Sequence, residues 1–305
     1  MKKIQQVYLA GLGAIGSSFA DLLHKMDPDC IKVIANPERI QRYTQNGIFV
    51  NEEKIPFQFI RPGEIVPHAD LIIIAVKQHQ LQQAIEDIRN FVGEETIILS
   101  LLNGIVSEEM IGHKYGMEKL LYSFVVATDA VREETHVHYS KVGTIYLGEK
   151  CNTTYSPKVT AVKELFDRAG IPYVIPENMM YELWWKFCMN VGINQTSAVL
   201  RAPYGVYQKQ KEARELMQMA CQEVVQISEK AGIGLTKESI GRYFDIVANV
   251  SPEGKTSMLQ DVEAGRRTEV EIFAGTVIEM GRKYGIPTPV NDVLYHMLHI
   301  IEQNY

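Results

Sequence analysis

The chain has 305 residues, 46% of them hydrophobic and 22% charged, and carries a formal net charge of -6. That length can bury two cores, so two domains are expected, and the composition is that of an ordinary globular protein. The acidic balance argues against nucleic acid or an anionic membrane as the main partner, yet it leaves room for a local basic pocket that takes an anionic substrate.

No run of the sequence is long enough to span a membrane, and there are no internal repeats or low-complexity tracts. Cys30, Cys151, Cys188 and Cys221 are widely spaced and form no C-x-x-C. They read as reduced thiols of a cytoplasmic protein, not as a disulfide framework or a zinc site. Met1-Lys2-Lys3 imitates the start of a signal peptide. The apolar stretch after it is broken by three glycines, and is better explained as strand, loop and helix.

Taken in chain order, residues 6–10 suit a short buried parallel strand. They run straight into Gly11-Leu12-Gly13-Ala14-Ile15-Gly16, a complete G-x-G-x-x-G. Residues 17–25 then read as a helix with Phe19, Leu22, Leu23 and Met26 on its apolar side. In this setting Gly11 allows the tight turn, Gly13 lets the backbone approach a pyrophosphate, and Gly16 lets the helix pack close to the strand. The helix N-terminus adds free N–H groups and a positive dipole end for phosphate. A plain glycine-rich turn would satisfy the letters; the placement between strand and helix is what points to a dinucleotide.

Residues 31–35, 70–76 and 96–101 read as further buried strands, and residues 81–91 have helical spacing. This alternation predicts an α/β fold with a doubly wound parallel sheet. Two more β-rich pieces follow, over residues 120–128 and 137–147, the second ending at Gly148. After Pro172 and Pro176 the pattern turns helical over residues 177–200, 208–231, 258–284 and 291–303. The expected division is a dinucleotide-binding domain over residues 1–174 and an all-helical substrate and catalytic domain over 175–305.

Three places carry candidate chemistry. Lys77 directly follows the strand ending at Val76, and Asn103-Gly104 follows the strand ending near Leu102, so a cation and an amide stand on the edge where such folds hold cofactor and substrate. The alternative is a solvated lysine and an ordinary Asn-Gly turn. Lys186, Asn190 and Asn194 are spaced four apart, which lines one flank of an α-helix, with Asn178 and Glu182 extending the row and Trp184, Trp185 and Phe187 beside it. Asparagine is a mediocre helix former, so two of them beside a lysine suggest a polar surface kept for a purpose, although an exposed polar face has the same spacing. The third place is Thr256-Ser257-Met258-Leu259-Gln260-Asp261 with Arg266-Arg267-Thr268-Glu269. There Ser257 can cap a helix, and Asp261, Gly265 and Glu269 again step by four. The eight histidines show no metal-binding spacing, His136 and His138 alternate as on a solvated strand face, and neither G-x-S-x-G nor a P-loop occurs.

Together these motifs resemble the ketopantoate reductase (2-dehydropantoate 2-reductase) family over nearly the whole chain. The marks are Gly11 to Gly16, Ala75-Val76-Lys77, Asn103-Gly104, Trp185-Lys186 with Asn190 and Asn194, the run 256–261, and Arg267-Thr268-Glu269. The resemblance implies an N-terminal Rossmann domain, a C-terminal helical domain and an active site in the cleft between them. It also implies NADPH-dependent reduction of a branched 2-keto acid to a D-2-hydroxy acid. By resemblance Lys186 is the general acid, Asn103, Asn190, Asn194 and Ser257 hold the substrate, Glu269 helps bind cofactor and substrate, and Lys77 lies near the nicotinamide. Asn103 stands at the junction of cofactor and substrate. A lysine suits this role because hydride delivery to a ketone carbon leaves charge on oxygen, which an ammonium stabilises and protonates. A closed cleft lowers the lysine pKa and a carboxylate such as Glu269 raises it again. A homodimer through the helical domain also fits the family.

Two departures from the pattern matter. Where family members carry an arginine for the 2′-phosphate of NADP, this chain has Asn36 within Ala35-Asn36-Pro37-Glu38-Arg39. Arg39 or Arg42 is then left to reach that phosphate and Glu38 opposes it, so NADP(H) is expected with NAD(H) left open. Past Pro203, Tyr204 takes the place of an asparagine that contacts the substrate's hydroxyls, which favours a different or more apolar 2-keto acid. A related D-2-hydroxyacid dehydrogenase and a non-catalytic dinucleotide-binding sensor are the competing readings.

Overall fold

The computed structural model describes residues 3–305, so the charged start at Met1 and Lys2 lies outside the described residues. The chain divides into two compact units, one running through Asn103 and then Ser107–Met179, the other made of Gly104–Val106 and Met180–Tyr305. The division was expected after residue 174; here it falls after Met179, and a three-residue piece just past Asn103 joins the second unit.

In the first unit the chain forms β1 (Val7–Ala10), α1 (Ala14–Met26), β2 (Ile31–Ile34), α2 (Pro37–Asn46), β3 (Phe49–Val50), β4 (Glu53–Lys54) and β5 (Gln58–Ile60). It continues with β6 (Leu71–Ile74), α3 (Leu81–Asp87), β7 (Ile97–Ser100), α4 (Ser107–Tyr115), β8 (Leu120–Val126), β9 (Val131–Glu133) and β10 (His136–His138). β11 (Thr144–Gly148), α5 (Pro157–Ala169) and β12 (Tyr173–Val174) complete it. The main sheet has eight strands in the order β12-β11-β8-β7-β6-β1-β2-β5. All neighbours from β5 to β8 are parallel, while β8 and β11 are antiparallel.

β1 is buried along its length and alternates across the sheet. Val7 and Leu9 join one core, with Phe19, Leu23 and Val33, while Tyr8 and Ala10 join another, with Ile72, Ile74 and Leu81. From β1 the chain winds out to β2 and β5, then returns to β6 on the other side of β1. That reversal places the switch point of the doubly wound sheet beside the Gly11–Gly16 loop.

The β-rich stretch at 137–147 is divided between two sheets. β10 belongs to a small sheet of order β4-β3-β10-β9, and β11 belongs to the main sheet. The left-handed Gly143 (φ 94°) stands at the break. The β3–β4 hairpin, which the apolar pattern did not reveal, turns on Asn51 (φ 46°) and Glu52 (φ 67°). Two successive positive-φ residues match the twist of a tight two-residue hairpin.

The second unit is helical: α6 (Met179–Met189, its first residue still assigned to the first unit), α7 (Gln195–Leu200), α8 (Tyr204–Lys209), α9 (Lys211–Lys230), α10 (Lys237–Ala248), α11 (Ser257–Glu263), α12 (Ala274–Tyr284) and α13 (Pro289–Gln303). Its core gathers Trp184, Phe187, Cys188, Met217, Val224, Phe273 and Leu298. The helical stretch expected over 258–284 is broken, because α11 ends at Glu263, Gly265 takes φ 60°, and a short 3₁₀ turn at Val270–Ile272 precedes α12. α10 carries helical periodicity that was overlooked in the sequence.

A buried polar network ties four of these helices together. Gln195 donates to Asn291 Oδ1 (3.0 Å) and accepts from Ala274 N (3.1 Å), and Asn291 donates to Glu223 (2.6 Å) and to Ala220 O (3.2 Å). Buried polar atoms stripped of a partner each cost about 1–3 kcal/mol. Asn291→Leu is therefore expected to lower unfolding stability by about 2–3 kcal/mol, read as a drop in the urea midpoint at unchanged m-value. A loss under 0.5 kcal/mol, the ordinary scale of surface changes, would refute this role for the network. No helix among the described residues is long and apolar enough to cross a membrane.

Candidate active site

One candidate place, in the first unit, is the edge of the main sheet at the C-terminal ends of its parallel strands. Gly11 adopts φ 109°, and a Cβ there would stand 2.5 Å from Ala75 O. A Cβ on Gly16 would collide with the carbonyl oxygen of Gly11. Both glycines are therefore required by protein packing. Gly13 is different: it has ordinary extended backbone (φ -75°, ψ -170°), and a Cβ there would find nothing closer than Ala75 O at 3.8 Å. The protein leaves space over Gly13, at the start of α1, whose first turn holds no acidic residue. A bound pyrophosphate would fill that space and meet the free N–H groups of the helix start. Leu12 is buried, and Ala14 and Ile15 are half-buried in the same turn. Ser17, one residue on, was not singled out in the sequence. Its buried hydroxyl has no hydrogen-bond partner among the described residues.

On the same edge, Lys77 follows β6 and is exposed, and Asn103 follows β7 and is half-buried. Asn36 follows β2 as the N-cap of α2, where its Oδ1 accepts from Arg39 N at 2.9 Å and Pro37 takes the first helical position. The Asn36 side chain is thereby engaged in capping, a local use that its position alone did not disclose. Arg39 is exposed in the first turn of α2.

A separate candidate place, in the helical unit, is the helix that carries Lys186. Leu183, Trp184, Trp185, Phe187, Cys188 and Met189 are all buried, and Lys186 is half-buried among them. Asn190–Asn194 is a π-helical turn inserted between α6 and α7. A single uninterrupted α-helix over 177–200 was expected; the π turn interrupts it and changes the spacing of the polar row. In an α-helix four residues overshoot a full turn by about 40°. A π turn takes more residues, so four fall short of it and the second step swings back. Asn194 is buried while Asn190 and Lys186 are half-buried. The carbonyls loosened by the wider turn are met by side chains, Gln195 Nε2 on Val191 O (2.7 Å) and Thr196 Oγ1 on Gly192 O (2.8 Å). Gly192 allows the close approach of α9, because a Cβ there would strike Cys221 Sγ.

Two supposed members of the polar row do other work. Asn178 precedes α6 and bridges to Cys151. Glu182 forms a two-pronged ion pair with Arg242 of α10 (3.0 and 3.2 Å), whose guanidinium sits 4.2 Å from the Trp185 ring centre. Trp185 Nε1 donates to Ser239 O at 2.7 Å, so α10 fixes the helix face next to Lys186.

Tyr204 opens α8. Its N–H donates to Gly254 O (2.9 Å), and burial raises the pKa of its phenol. The helix cap was expected at Ser257, but Thr256 supplies it, accepting from Leu259 N at 3.2 Å. Ser257 is the first residue of α11 and is exposed, which leaves its hydroxyl out of the capping. Thr256 also bonds Ser197 of α7 at 3.0 Å, which ties the start of α11 to the helix that follows Asn194. The four-residue step from Asp261 to Gly265 and Glu269 has no helical meaning, since α11 ends at Glu263. Asp261 instead pairs with Arg266 (2.9 Å). Glu269 is half-buried and precedes the 3₁₀ turn, while Thr268 is pinned to Glu302 of α13. No group of three or more His, Cys, Asp or Glu among the described residues could hold a metal ion.

The two glycines separate by experiment. Gly16→Ala is expected to destabilise by about 1–3 kcal/mol or more, as overpacking does. Gly13→Ala is expected to leave stability equal or up to about 1 kcal/mol higher, while weakening nicotinamide dinucleotide binding at least tenfold. Thermal melts and nucleotide titrations check both, and unchanged nucleotide affinity in Gly13→Ala would remove the loop as a pyrophosphate site.

Comparison with known proteins gives the family of the chain. Residues 7–151 match the family model described as Ketopantoate reductase PanE/ApbA, and residues 178–302 match that of its C-terminal domain. A 2-dehydropantoate 2-reductase of Streptococcus pyogenes serotype M18 is 29% identical over 300 residues, covering 97% of each chain. A D-mandelate dehydrogenase solved with NADH and anilino(oxo)acetate shares the fold with a TM-score of 0.86 at 24% identity, over 98% of this chain and 99% of that one. A dimeric ketopantoate reductase from Staphylococcus aureus does so with a TM-score of 0.82 at 21% identity, over the same shares. The chain, a Rossmann-type α/β unit followed by helices, belongs to the ketopantoate reductase family.

Proposed function

We propose that this protein is an oxidoreductase that reduces 2-dehydropantoate to D-pantoate with NADPH. The observation that carries the reading is Lys186, a half-buried ammonium on a helix whose neighbouring positions are all buried, immediately before two asparagines in a π turn. π turns inside α-helices are frequently found at functional sites. The names of the relatives that match over the full length support the substrate class.

In this reading the Gly11-Leu12-Gly13-Ala14-Ile15-Gly16 loop holds the pyrophosphate, with Lys77, Asn103 and Glu269 toward the reactive end. When bound, the nicotinamide supplies the hydride to the keto carbon. Lys186 stabilises the negative charge that gathers on the substrate oxygen and delivers the proton that completes the alcohol. Asn103, Asn190, Asn194 and Ser257 hydrogen-bond the carboxylate and hydroxyl without adding charge. The first unit is the cofactor domain and the helical unit the substrate domain. The free cysteines fit a cytoplasmic enzyme, and the dimeric Staphylococcus aureus relative supports a homodimer.

A second reading is favoured by one residue. Tyr204 places a half-buried ring where the resemblance calls for an asparagine, which suits an aromatic or more apolar 2-keto acid. The protein would then be a D-2-hydroxyacid dehydrogenase.

Nicotinamide oxidation measured side by side on ketopantoate and phenylglyoxylate separates the two. A higher kcat/KM on ketopantoate is expected; a hundredfold preference for phenylglyoxylate would transfer the assignment to the second reading. Tyr204→Asn is expected to move the ratio further toward ketopantoate. Lys186→Ala is expected to lower kcat about 10²–10⁴-fold, the usual worth of a positioned acid, with nucleotide affinity unchanged. Full turnover in that variant would remove Lys186 from the chemistry.

A further inference from the structure

The outer edge of the main sheet carries a cation that none of the assignments above uses. Ile34 pairs with Ile60 in parallel register, and Ala35 N donates to Ile60 O at 3.1 Å. Arg61 therefore stands beside Ala35 and Asn36 at the same strand ends. Since Ala10 pairs with Ile34, the edge reads Gly11, Ala35 and Arg61 across three neighbouring strands. At about 4.8 Å per strand, the Arg61 backbone lies about 10 Å from the phosphate loop.

Arg61 also borders an open depression of about 570 Å³, lined by Ile40, Phe59, Arg61, Pro62, Gly63 and Glu64. Ile40, Phe59 and Pro62 give it apolar walls fit for the face of a flat base. Residues 61–64 form a tight turn with Pro62 second and Gly63 third at φ 84°, the signature of a type II turn. Glu64 closes it from both ends, its N–H donating to Arg61 O (3.0 Å) and its Oε2 accepting from Arg61 N (3.0 Å). The turn thus fixes the backbone of Arg61. Among the described residues no carboxylate forms an ion pair with its guanidinium, unlike Arg242 with Glu182 or Arg266 with Asp261.

We propose that Arg61 binds the 2′-phosphate of an NADP(H) adenosine seated in this depression, supplying from β5 the cation that position 36 lacks. The proposal rests on the assignment of a dinucleotide to the Gly11–Gly16 loop. With the pyrophosphate at that loop, the adenosine ribose falls over the end of β2. The next strand out from the end of β2 is β5, whose last residue Ile60 precedes Arg61. A guanidinium on a fixed turn offers two parallel N–H donors to a phosphate, a match an ammonium does not make. Glu38 and Glu64 offset two of the three cations Arg39, Arg42 and Arg61. Selectivity at this edge therefore comes from directed hydrogen bonds, and the position of Arg61 decides it.

Calorimetric titration of the full chain with 2′,5′-ADP and with 5′-ADP tests the proposal without turnover. The wild type is expected to bind 2′,5′-ADP at least tenfold more tightly. Arg61→Gln is expected to lose most of that margin with 5′-ADP affinity unchanged within twofold, Arg61→Lys to lose part of it, and Arg39→Gln to shift it less than threefold. An undiminished margin in Arg61→Gln, or one lost only in Arg39→Gln, overturns the proposal. Equal wild-type affinity for both nucleotides overturns it as well, while the dinucleotide loop stands as an NAD(H) site. If neither nucleotide binds the wild type, the loop assignment itself fails and the proposal falls with it.

Discussion

The crowded meeting of β1, β6 and the start of α1 sets the rest of the first unit. Gly11 lies against the Ala75 carbonyl, and Gly16 lies against the Gly11 carbonyl, so the helix comes close to the sheet only where two side chains are missing. That approach aims the α1 N-terminus along the strand ends and leaves the space above Gly13 for something other than protein. Lys77, Asn103, Asn36 and Arg61 share the same edge because parallel register carries each strand end to the same level. One close contact thus orders a cofactor edge several strands wide.

In the helical unit the corresponding device is the π turn. Widening the helix at Asn190–Asn194 loosens backbone carbonyls, and Gln195 and Thr196 answer with their side chains. Gln195 passes the constraint on to Asn291 and Glu223, so the turn is held by the same network that packs α9, α12 and α13. The turn that follows the Lys186 helix is in this way backed by a rigid core. Arg242 completes the arrangement from the other side by holding Glu182 and covering Trp185.

Much of this was legible in the sequence where the cause is local. The glycine loop, the buried strands around it and the long helices follow from spacing and apolar period, which act within a few residues. Four features resisted that reading. The small sheet is built of strands two or three residues long, too short for a period. The π turn depends on α9 pressing against Gly192. Thr256 and Ser257 are equal candidates for a cap until the helix start is fixed in space. The placement of Arg61 beside Asn36 comes from the pairing of β2 with β5, which a linear reading does not show.

The sequence by itself determined the glycine loop between strand and helix and the α/β-then-helical order. These are short-range consequences of backbone sterics and of which side chains avoid water. Only the tertiary structure decided that Asn36 serves as a cap, that Asn194 is buried, and that Arg61 stands beside the end of β2. Those outcomes rest on strand register and helix packing between residues far apart in the chain. Such contacts depend on how distant surfaces fit together, which spacing along the chain does not encode.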